Sequence, residues 1–154
     1  MRIQPNAHFS SITDISSEYL RSHNIHAVIL DIDNTIVVNG GYNIEPSIKK
    51  WLSDLSIPAF FLSNGKDKRV RQFADMFDAE YISEAKKPLP SGFRRIARRL
   101  NISDLSKITV IGDQLFSDIL GGNLAGCYTI KVPPLNPKFD PFLVKIRRSF
   151  EKWL

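Results

Sequence analysis

The chain has 154 residues, of which 43% are hydrophobic and 24% are charged. This length is typical of one domain, and the apolar fraction excludes wholesale disorder. Lys and Arg outnumber Asp and Glu by 21 to 16, and the resulting charge of +5 favours an anionic partner, whether a phosphorylated substrate, nucleic acid or an anionic membrane. The single cysteine, Cys127, excludes an internal disulfide framework, so a reducing, cytoplasmic compartment is expected.

No segment of the sequence is predicted to cross a membrane. The first eight residues contain no apolar stretch typical of a secretory signal. The longest apolar runs, at 27–30 and 59–62, have the length of strands and fall far short of the roughly 20 residues that span a bilayer. The protein is therefore expected in the cytoplasm, or at most on the inner face of a membrane.

Short apolar runs alternate along the chain with amphipathic segments. The runs themselves contain no regular polar positions, which is typical of parallel strands covered on both faces. In chain order, the pattern predicts a short helix at 13–22, a strand at 27–30, a helix beginning at Pro46, a strand at 58–62, a helix at 67–77, a strand at 80–82, a helix at 90–100, a strand at 108–111, a helix at 116–124, a strand at 128–132 and a terminal helix at 141–154.

This order of elements predicts an α/β fold. Strands that alternate with helices form right-handed βαβ units, so the five strands are expected in one parallel sheet. We expect one domain over residues 1–154, with its core at 26–132. Ligands of such sheets bind at the carboxyl ends of the strands, so residues that follow positions 30, 62 and 111 are the candidates for a site.

Two acids follow the first strand. Asp31 and Asp33 are two residues apart, so in extended backbone both face the same side. Side-by-side carboxylates repel each other unless a cation holds them, which favours a carboxylate nucleophile assisted by Mg²⁺, with the second carboxylate as general acid and base. Taken alone, the pair is equally compatible with a solvated loop in which Asp caps turns.

Two further segments carry groups that bind phosphate. Ser63 and Asn64 precede Gly65 after the second strand, where a hydroxyl and backbone amides ahead of a helix form a phosphate cradle. Lys87 supplies an ammonium that neutralises phosphoryl oxygens. Each segment alone is better explained as a helix cap or a solvated basic loop.

The fourth strand ends in more acids. Gly112 permits a sharp turn that places Asp113 beside Asp31 and Asp33, and Asp118 follows one helical turn later. Hard oxygen ligands of this kind suit Mg²⁺. Burial of such a cluster without a metal would be strongly destabilising, so a purely structural role is a poor explanation.

Together, the four motifs occur in order, each at the end of a predicted strand. In this respect the sequence resembles the haloacid dehalogenase superfamily of aspartyl-phosphate phosphohydrolases over residues 26–132. The family motifs correspond to residues 31–35, Ser63, Lys87 before Pro88, and residues 112–118. The resemblance implies a three-layer, Rossmann-like α/β/α core.

The resemblance also implies residue roles. Asp31 is the nucleophile, and Asp33 protonates the leaving group and then activates water. The positions assigned to the substrate loop and phosphoryl group are Thr35, Ser63, Asn64 and Lys87. The Mg²⁺ ligands are Asp31, Asp33 and Asp113, with Asp118 supporting the metal or orienting Lys87. An acid at position 33 favours a phosphatase over a dehalogenase or an ATPase, because leaving-group departure needs a proton donor.

The spacing of the motifs leaves no room for a large cap domain. Residues 33–46 suffice only for a small flap, expected as a hairpin that turns at 39–41. An open site admits bulky substrates. The stretches 28–36, 61–64, 87–88 and 111–123 resemble the bacterial YqeG-like phosphatases of subclass IIIA and the related phosphatidylglycerophosphate phosphatases, which implies phosphatidylglycerophosphate as substrate.

Basic flanks leave alternatives open. Six Lys or Arg and no acid occur in residues 86–99, and the terminal helix carries an apolar stripe beside Lys145, Arg148 and Lys152. That helix either lies on an anionic membrane surface or, as the sequence favours, packs on the sheet with a solvated basic face. Other interpretations are a phosphatase of soluble or nucleic-acid phosphates, and a non-catalytic nucleic-acid or ribosome-binding module.

Overall fold

The computed structural model describes residues 3–154. Six strands occur in this range: β1 (Ala7–His8), β2 (Ala27–Leu30), β3 (Ala59–Leu62), β4 (Glu80–Ile82), β5 (Ile108–Gly112) and β6 (Tyr128–Lys131). The helices are α1 (Ser17–Ser22), α2 (Pro46–Asp54), α3 (Asp67–Met76), α4 (Ser91–Arg99), α5 (Leu120–Ala125) and α6 (Phe142–Glu151). Single 3₁₀ turns lie at Ile12–Asp14, Leu105–Lys107 and Pro137–Phe139, and a π-helical turn at Leu115–Ile119 leads into α5.

The predicted α/β fold is confirmed. All strands are parallel and follow the order β1-β6-β5-β2-β3-β4. The sheet has six strands where the sequence predicts five, because the short β1 joins its edge beside β6. Backbone bonds from Asn6 N to the Thr129 carbonyl (2.8 Å) and from Phe9 N to the Lys131 carbonyl (3.1 Å) hold β1 there. Because β1 has only two residues and lies in no apolar run, the sequence does not predict it.

The helices cover both faces of the sheet, which gives three layers. In β2, Val28 and Leu30 belong to a core with residues of α1, α2 and α3, whereas Ala27 and Ile29 belong to a second core with residues of α4. This alternation follows from the two-residue period of a strand. Because both faces are buried, all four residues of β2 are apolar.

The flap between β2 and α2 is not the expected hairpin. Residues 33–45 form turns with one isolated bridge between Asp33 and Val37. Instead, side chains of the acidic loop accept hydrogen bonds from the backbone of the flap. Asn34 Oδ1 accepts from Asn39 N (3.3 Å), and Asp33 Oδ1 accepts from Gly40 N (3.1 Å). The flap is therefore anchored to the acidic loop that precedes it.

Within residues 3–154, no helix combines the length and apolar character needed to cross a bilayer. The terminal helix α6 is ten residues long and none of its residues is buried.

The close packing of α5 against α4 depends on Gly121. A Cβ atom there would lie 2.7 Å from the Phe93 ring and 3.1 Å from the Pro88 Cα atom. We expect Gly121→Ala to lower the free energy of unfolding by at least about 1 kcal/mol, because the overpacking exceeds the gain in helix propensity. Urea denaturation is the measurement, and Leu124→Ala on the exposed side of α5 is the control. Equal stabilities of the two variants would contradict this packing.

Candidate active site

Strand register brings the predicted motifs to one edge of the sheet. Leu30 of β2 lies level with Ile111 of β5 and with Phe61 of β3. The residues that follow these positions, including Asp31, Ser63 and Asp113, therefore leave the sheet at the same edge. This is the edge at which ligands of open α/β sheets bind.

Three buried carboxylates meet there. Asp31, Asp113 and Asp118 offer oxygen atoms that all lie within 4.8 Å of one another. Their exposed fractions are 7%, 0% and 1%. Lys87 donates from Nζ to Asp31 Oδ1 (2.8 Å) and to Asp118 Oδ1 (2.6 Å), so its ammonium joins two of the three acids. The predicted proximity of Asp31, Lys87, Asp113 and Asp118 is present in the structure.

The position of Asp118 requires a glycine at 112. A Cβ atom on Gly112 would lie 2.4 Å from the Asp118 carboxyl carbon, so any side chain there would displace this carboxylate. Asp118 lies in the π-helical turn, and its Oδ2 accepts a hydrogen bond from Gln114 N (3.1 Å). Single π turns often occur at functional sites.

Arg148 of α6 is the residue that sequence reasoning placed differently. Its Nη2 donates to Asp113 Oδ2, its Nη1 to the Asp113 carbonyl (3.2 Å), and its Nε to Asp140 Oδ2 (2.5 Å). Only 14% of its side chain is exposed, so it does not belong to a solvated basic stripe. No local motif links position 148 to position 113, and only the folded chain brings them together.

The pKa values of the acids reflect crowding of like charge. Burial, then the charge of Asp118, raises the pKa of Asp31 well above its ordinary value, although Lys87 opposes this shift. Burial and Asp118 likewise raise the pKa of Asp113 to about 6 against the opposing effect of Arg148. Burial lowers the pKa of Lys87, but Asp118 and Asp31 outweigh it and raise that pKa, so the ammonium stays charged.

The charges of the cluster leave room for a divalent cation. Four buried carboxylates, those of Asp31, Asp113, Asp118 and Asp140, face two cations, Lys87 and Arg148. The excess of two negative charges is one that a single divalent ion would neutralise. The donors are hard carboxylate oxygens, which suit Mg²⁺, Mn²⁺ or Ca²⁺. The residues therefore fit such a metal, and the acids that could hold it are Asp31, Asp113 and Asp118.

Thr35, Ser63 and Asn64 have protein partners at the site. Thr35 Oγ1 donates to Asp113 Oδ1 (3.2 Å), and buried Ser63 Oγ accepts from Gly65 N (3.0 Å). The Asn64 amide bonds the backbone of Lys87 twice, with Oδ1 accepting from its N (2.8 Å) and Nδ2 donating to its carbonyl (3.3 Å). Asn64 thus positions Lys87, whose bond to Pro88 is cis.

Asp33 lies apart from the three clustered acids. Its Oδ1 accepts from Arg69 Nη2 (2.7 Å) and from the backbone of the flap, and its side chain is 25% exposed. Arg69 itself lies over the rings of Tyr42 (4.8 Å) and Phe73 (5.1 Å). Sequence reasoning missed Arg69, since an Arg in the first turns of a helix has no distinguishing signal.

Asn34, between the two acids, links the loop to the segment before α6. Its backbone adopts the left-handed conformation (φ 60°), which Asn tolerates better than most residues. Its Nδ2 donates to Asp140 Oδ1 (2.6 Å), and its Oδ1 accepts from Asn136 N (3.1 Å). Asp140, which also pairs with Arg148, is thereby fixed to the loop that carries Asp31.

A family comparison agrees with this geometry. The model of the haloacid dehalogenase-like hydrolases matches residues 44–126, more than half of the chain. The chain belongs to this family and is an enzyme of the hydrolase class. It is 32% identical over 151 residues to the probable phosphatase YqeG of Bacillus subtilis, an alignment that covers 96% of this chain and 87% of the relative.

Solved structures share the fold. An uncharacterized protein from Listeria monocytogenes is similar with a TM-score of 0.59 at 20% identity, over 76% of this chain and 85% of that one. The cobalt-bound deoxy-D-mannose-octulosonate 8-phosphate phosphatase of Haemophilus influenzae is similar with a TM-score of 0.53 at 16% identity, over 81% of this chain and 75% of that one. At these identities the likeness concerns the fold alone.

The raised pKa of Asp113 predicts a pH-dependent response to metal. In the folded chain the pKa of the Asp113 carboxyl is about 6, whereas its ordinary value is 3.8. Without metal, the contribution of Asp113 to the free energy of unfolding therefore falls as the pH rises from about 4 to about 6. Because the metal binds the ionised carboxylate, we expect Mg²⁺ to raise the melting temperature more at about pH 7 than at about pH 5. The melting temperature is measured by calorimetry with and without Mg²⁺ at both pH values. An equal rise in melting temperature at the two pH values contradicts the prediction. Asp113→Asn, which cannot ionise at this position, is the control.

The contacts of Arg148 predict a stability effect. Arg148→Met leaves the buried carboxylates of Asp113 and Asp140 without this cation, which costs about 3–5 kcal/mol in comparable pairs. We expect urea denaturation to show a loss of that order, and Mg²⁺ to recover part of it by neutralising Asp113. Arg147→Met, at an exposed position of the same helix, is the matched control. Similar stabilities of the two variants would exclude the proposed role of Arg148.

Proposed function

We propose that this hydrolase is a Mg²⁺-dependent phosphomonoesterase that acts through an aspartyl-phosphate on Asp31, with phosphatidylglycerophosphate as its substrate. The observation that carries the proposal is the buried Asp31 carboxylate, which Lys87 contacts at 2.8 Å beside two further acids. A carboxylate fixed against an ammonium at a strand end, with ligands for a cation around it, suits attack on a phosphoryl group.

The first half-reaction transfers the phosphoryl group. An Asp31 carboxylate oxygen forms a bond to phosphorus while the bond from phosphorus to the alcohol oxygen breaks. Asp33 donates a proton to that alcohol oxygen. Lys87 neutralises charge on the phosphoryl oxygens, and Asn64 holds the Lys87 backbone in place.

The second half-reaction hydrolyses the acyl phosphate. Asp33 accepts a proton from water, and the water oxygen forms a bond to phosphorus as the bond from phosphorus to Asp31 breaks. Inorganic phosphate leaves, and both acids return to their starting states. A bound Mg²⁺ supplies the positive charge that keeps Asp31 ionised and offsets charge on the phosphoryl group.

The environment of Asp33 supports its separate role. Its side chain is more exposed than that of Asp31, and its partners belong to α3 and to the flap rather than to the acid cluster. Two carboxylates that are neighbours in sequence but occupy different environments are suited to different tasks. With 25% of its side chain exposed, Asp33 is accessible to a departing alcohol.

The proposal of a lipid substrate has two supports. The first is that the motif stretches resemble the YqeG-like and phosphatidylglycerophosphate phosphatases, a group that includes the probable phosphatase of 32% identity. In addition, the residues between β2 and α2 form only short turns, so among the described residues no cap domain is inserted there to enclose a small substrate.

Phosphate release tests the mechanism and the substrate together. We expect the wild-type chain with Mg²⁺ to release phosphate from phosphatidylglycerophosphate, and Asp31→Asn to lose activity by at least about a thousandfold because the nucleophile is gone. Asp33→Asn retains the nucleophile, so a trapped aspartyl-phosphate or a strongly reduced kcat is expected.

The same assay separates the alternatives. Fast turnover of soluble or nucleic-acid monoesters, without turnover of the lipid, contradicts the lipid substrate and leaves the mechanism intact. Absence of turnover with every substrate and metal contradicts the phosphatase. It would favour a binding module, for which the exposed Arg94, Arg95, Arg98 and Arg99 of α4 would matter and Asp31 would not.

A further inference from the structure

The helix α6 is oriented opposite to an ordinary surface helix. Its charged residues Arg148 and Glu151 face the protein: Arg148 binds Asp113 and Asp140, and Glu151 Oε1 accepts from Leu115 N (2.9 Å). By contrast, α2, α3 and α4 bury apolar side chains. Polar contacts, together with the half-buried Val144, therefore hold α6 in place.

Apart from the half-buried Val144, the apolar side chains of α6 and of Trp153 after it are turned to the outside. At about 100° per residue, they occupy about a third of the helix circumference, on the side away from Arg148. We call these residues the apolar stripe, and their exposed fractions are Phe142 76%, Leu143 66%, Ile146 37%, Phe150 62% and Trp153 88%. Contiguous exposure of this kind marks an interaction surface.

The charges around the apolar stripe are all positive. Lys145 and Lys152 lie on one flank and Arg147 on the other, and all three are exposed. The two acids of residues 133–154, Asp140 and Glu151, both bind groups of the protein itself. The outward surface of α6 therefore presents apolar and cationic side chains without an acidic one.

A groove lies between the inward side of α6 and the edge strands of the sheet. It has a volume of about 630 Å³, and its lining includes Lys131, Arg148, Glu151 and Lys152. Arg148 also binds Asp113, so the groove lies beside the acid cluster. Anionic headgroups at the surface of α6 would therefore be close to the candidate active site.

We propose that α6 docks the protein on the surface of an anionic phospholipid bilayer, with the apolar stripe among the acyl chains and Lys145, Arg147 and Lys152 at the headgroup phosphates. A second copy of this chain is a poor occupant, since cations flank the stripe on both copies and would repel each other. If the proposed function holds, on which this consequence rests, the enzyme takes its lipid substrate from the bilayer to which α6 binds.

Vesicle binding by the full chain tests the inference. We expect co-sedimentation with vesicles of phosphatidylcholine and phosphatidylglycerol in equal parts, and much weaker binding to phosphatidylcholine alone. Fluorescence of Trp153 should shift to shorter wavelength on binding, and the shift should vanish in Trp153→Phe, because the other tryptophan, Trp51, bonds the Ile15 carbonyl inside the protein.

Variants separate the apolar and the electrostatic contributions. The double variant Phe142→Ser with Phe150→Ser should bind at least about tenfold more weakly, and Lys145→Gln about fivefold more weakly in a salt-dependent manner. Met76→Ser is the matched control, since Met76 is 47% exposed but lies at the end of α3 beside Pro58, away from α6. Unfolding curves check that every variant is folded.

The outcomes distinguish docking from catalysis. Equal vesicle binding by the wild type and the double variant overturns the docking proposal, and so does concentration-dependent dimerisation through the apolar stripe without vesicle binding. If the wild type releases phosphate from phosphatidylglycerophosphate in detergent micelles yet does not bind vesicles, docking fails and the proposed function stands. Vesicle binding without phosphate release from any substrate leaves docking in place and contradicts the proposed function.

Discussion

Excess negative charge at the carboxyl ends of the parallel strands governs how the surrounding elements of this protein are arranged. Parallel strands deliver Asp31 and Asp113 to one edge, and the π-helical turn adds Asp118 to the same buried space. Buried carboxylates without compensation are strongly destabilising, so cations must reach them. Lys87 arrives from the loop after β4 and Arg148 from α6, and the charge that remains is what a divalent ion would balance.

This constraint also determines the orientation of α6. Arg148 must face inward to bind Asp113 and Asp140, and Asn34 fixes Asp140 from the acidic loop. On a helix of 3.6 residues per turn, the apolar stripe lies on the side roughly opposite Arg148. The ion pairs of Arg148 therefore compensate the acid cluster and also leave the apolar stripe exposed. In this way the candidate active site is connected to the surface that we propose docks on lipid.

The two acids of the first motif illustrate how close neighbours acquire different environments. Asp31 is buried against Lys87, whereas Asp33 turns toward Arg69 and the backbone of the flap. Arg69 is in turn held by the rings of Tyr42 and Phe73, which belong to the flap and to α3. The flap thus helps to position the proposed general acid even though it is too short to enclose a substrate.

The strands β2 to β6 and the parallel sheet follow from the amino-acid sequence, because unbroken apolar runs are local patterns with strong physical causes. The meeting of Asp31, Lys87, Asp113 and Asp118 follows from the acids at the strand ends together with the family resemblance. The sequence did not predict β1 or the partners of Asn64 and Asp33, since these depend on contacts between distant segments. Nor did it predict the turns of the flap, in which side chains of the acidic loop bind nearby backbone groups. Above all, an apolar stripe predicts that a helix is amphipathic but not which face meets the protein. The tertiary contacts settle this for α6, because Arg148 compensates the buried carboxylates of Asp113 and Asp140 from the face of the helix opposite the stripe.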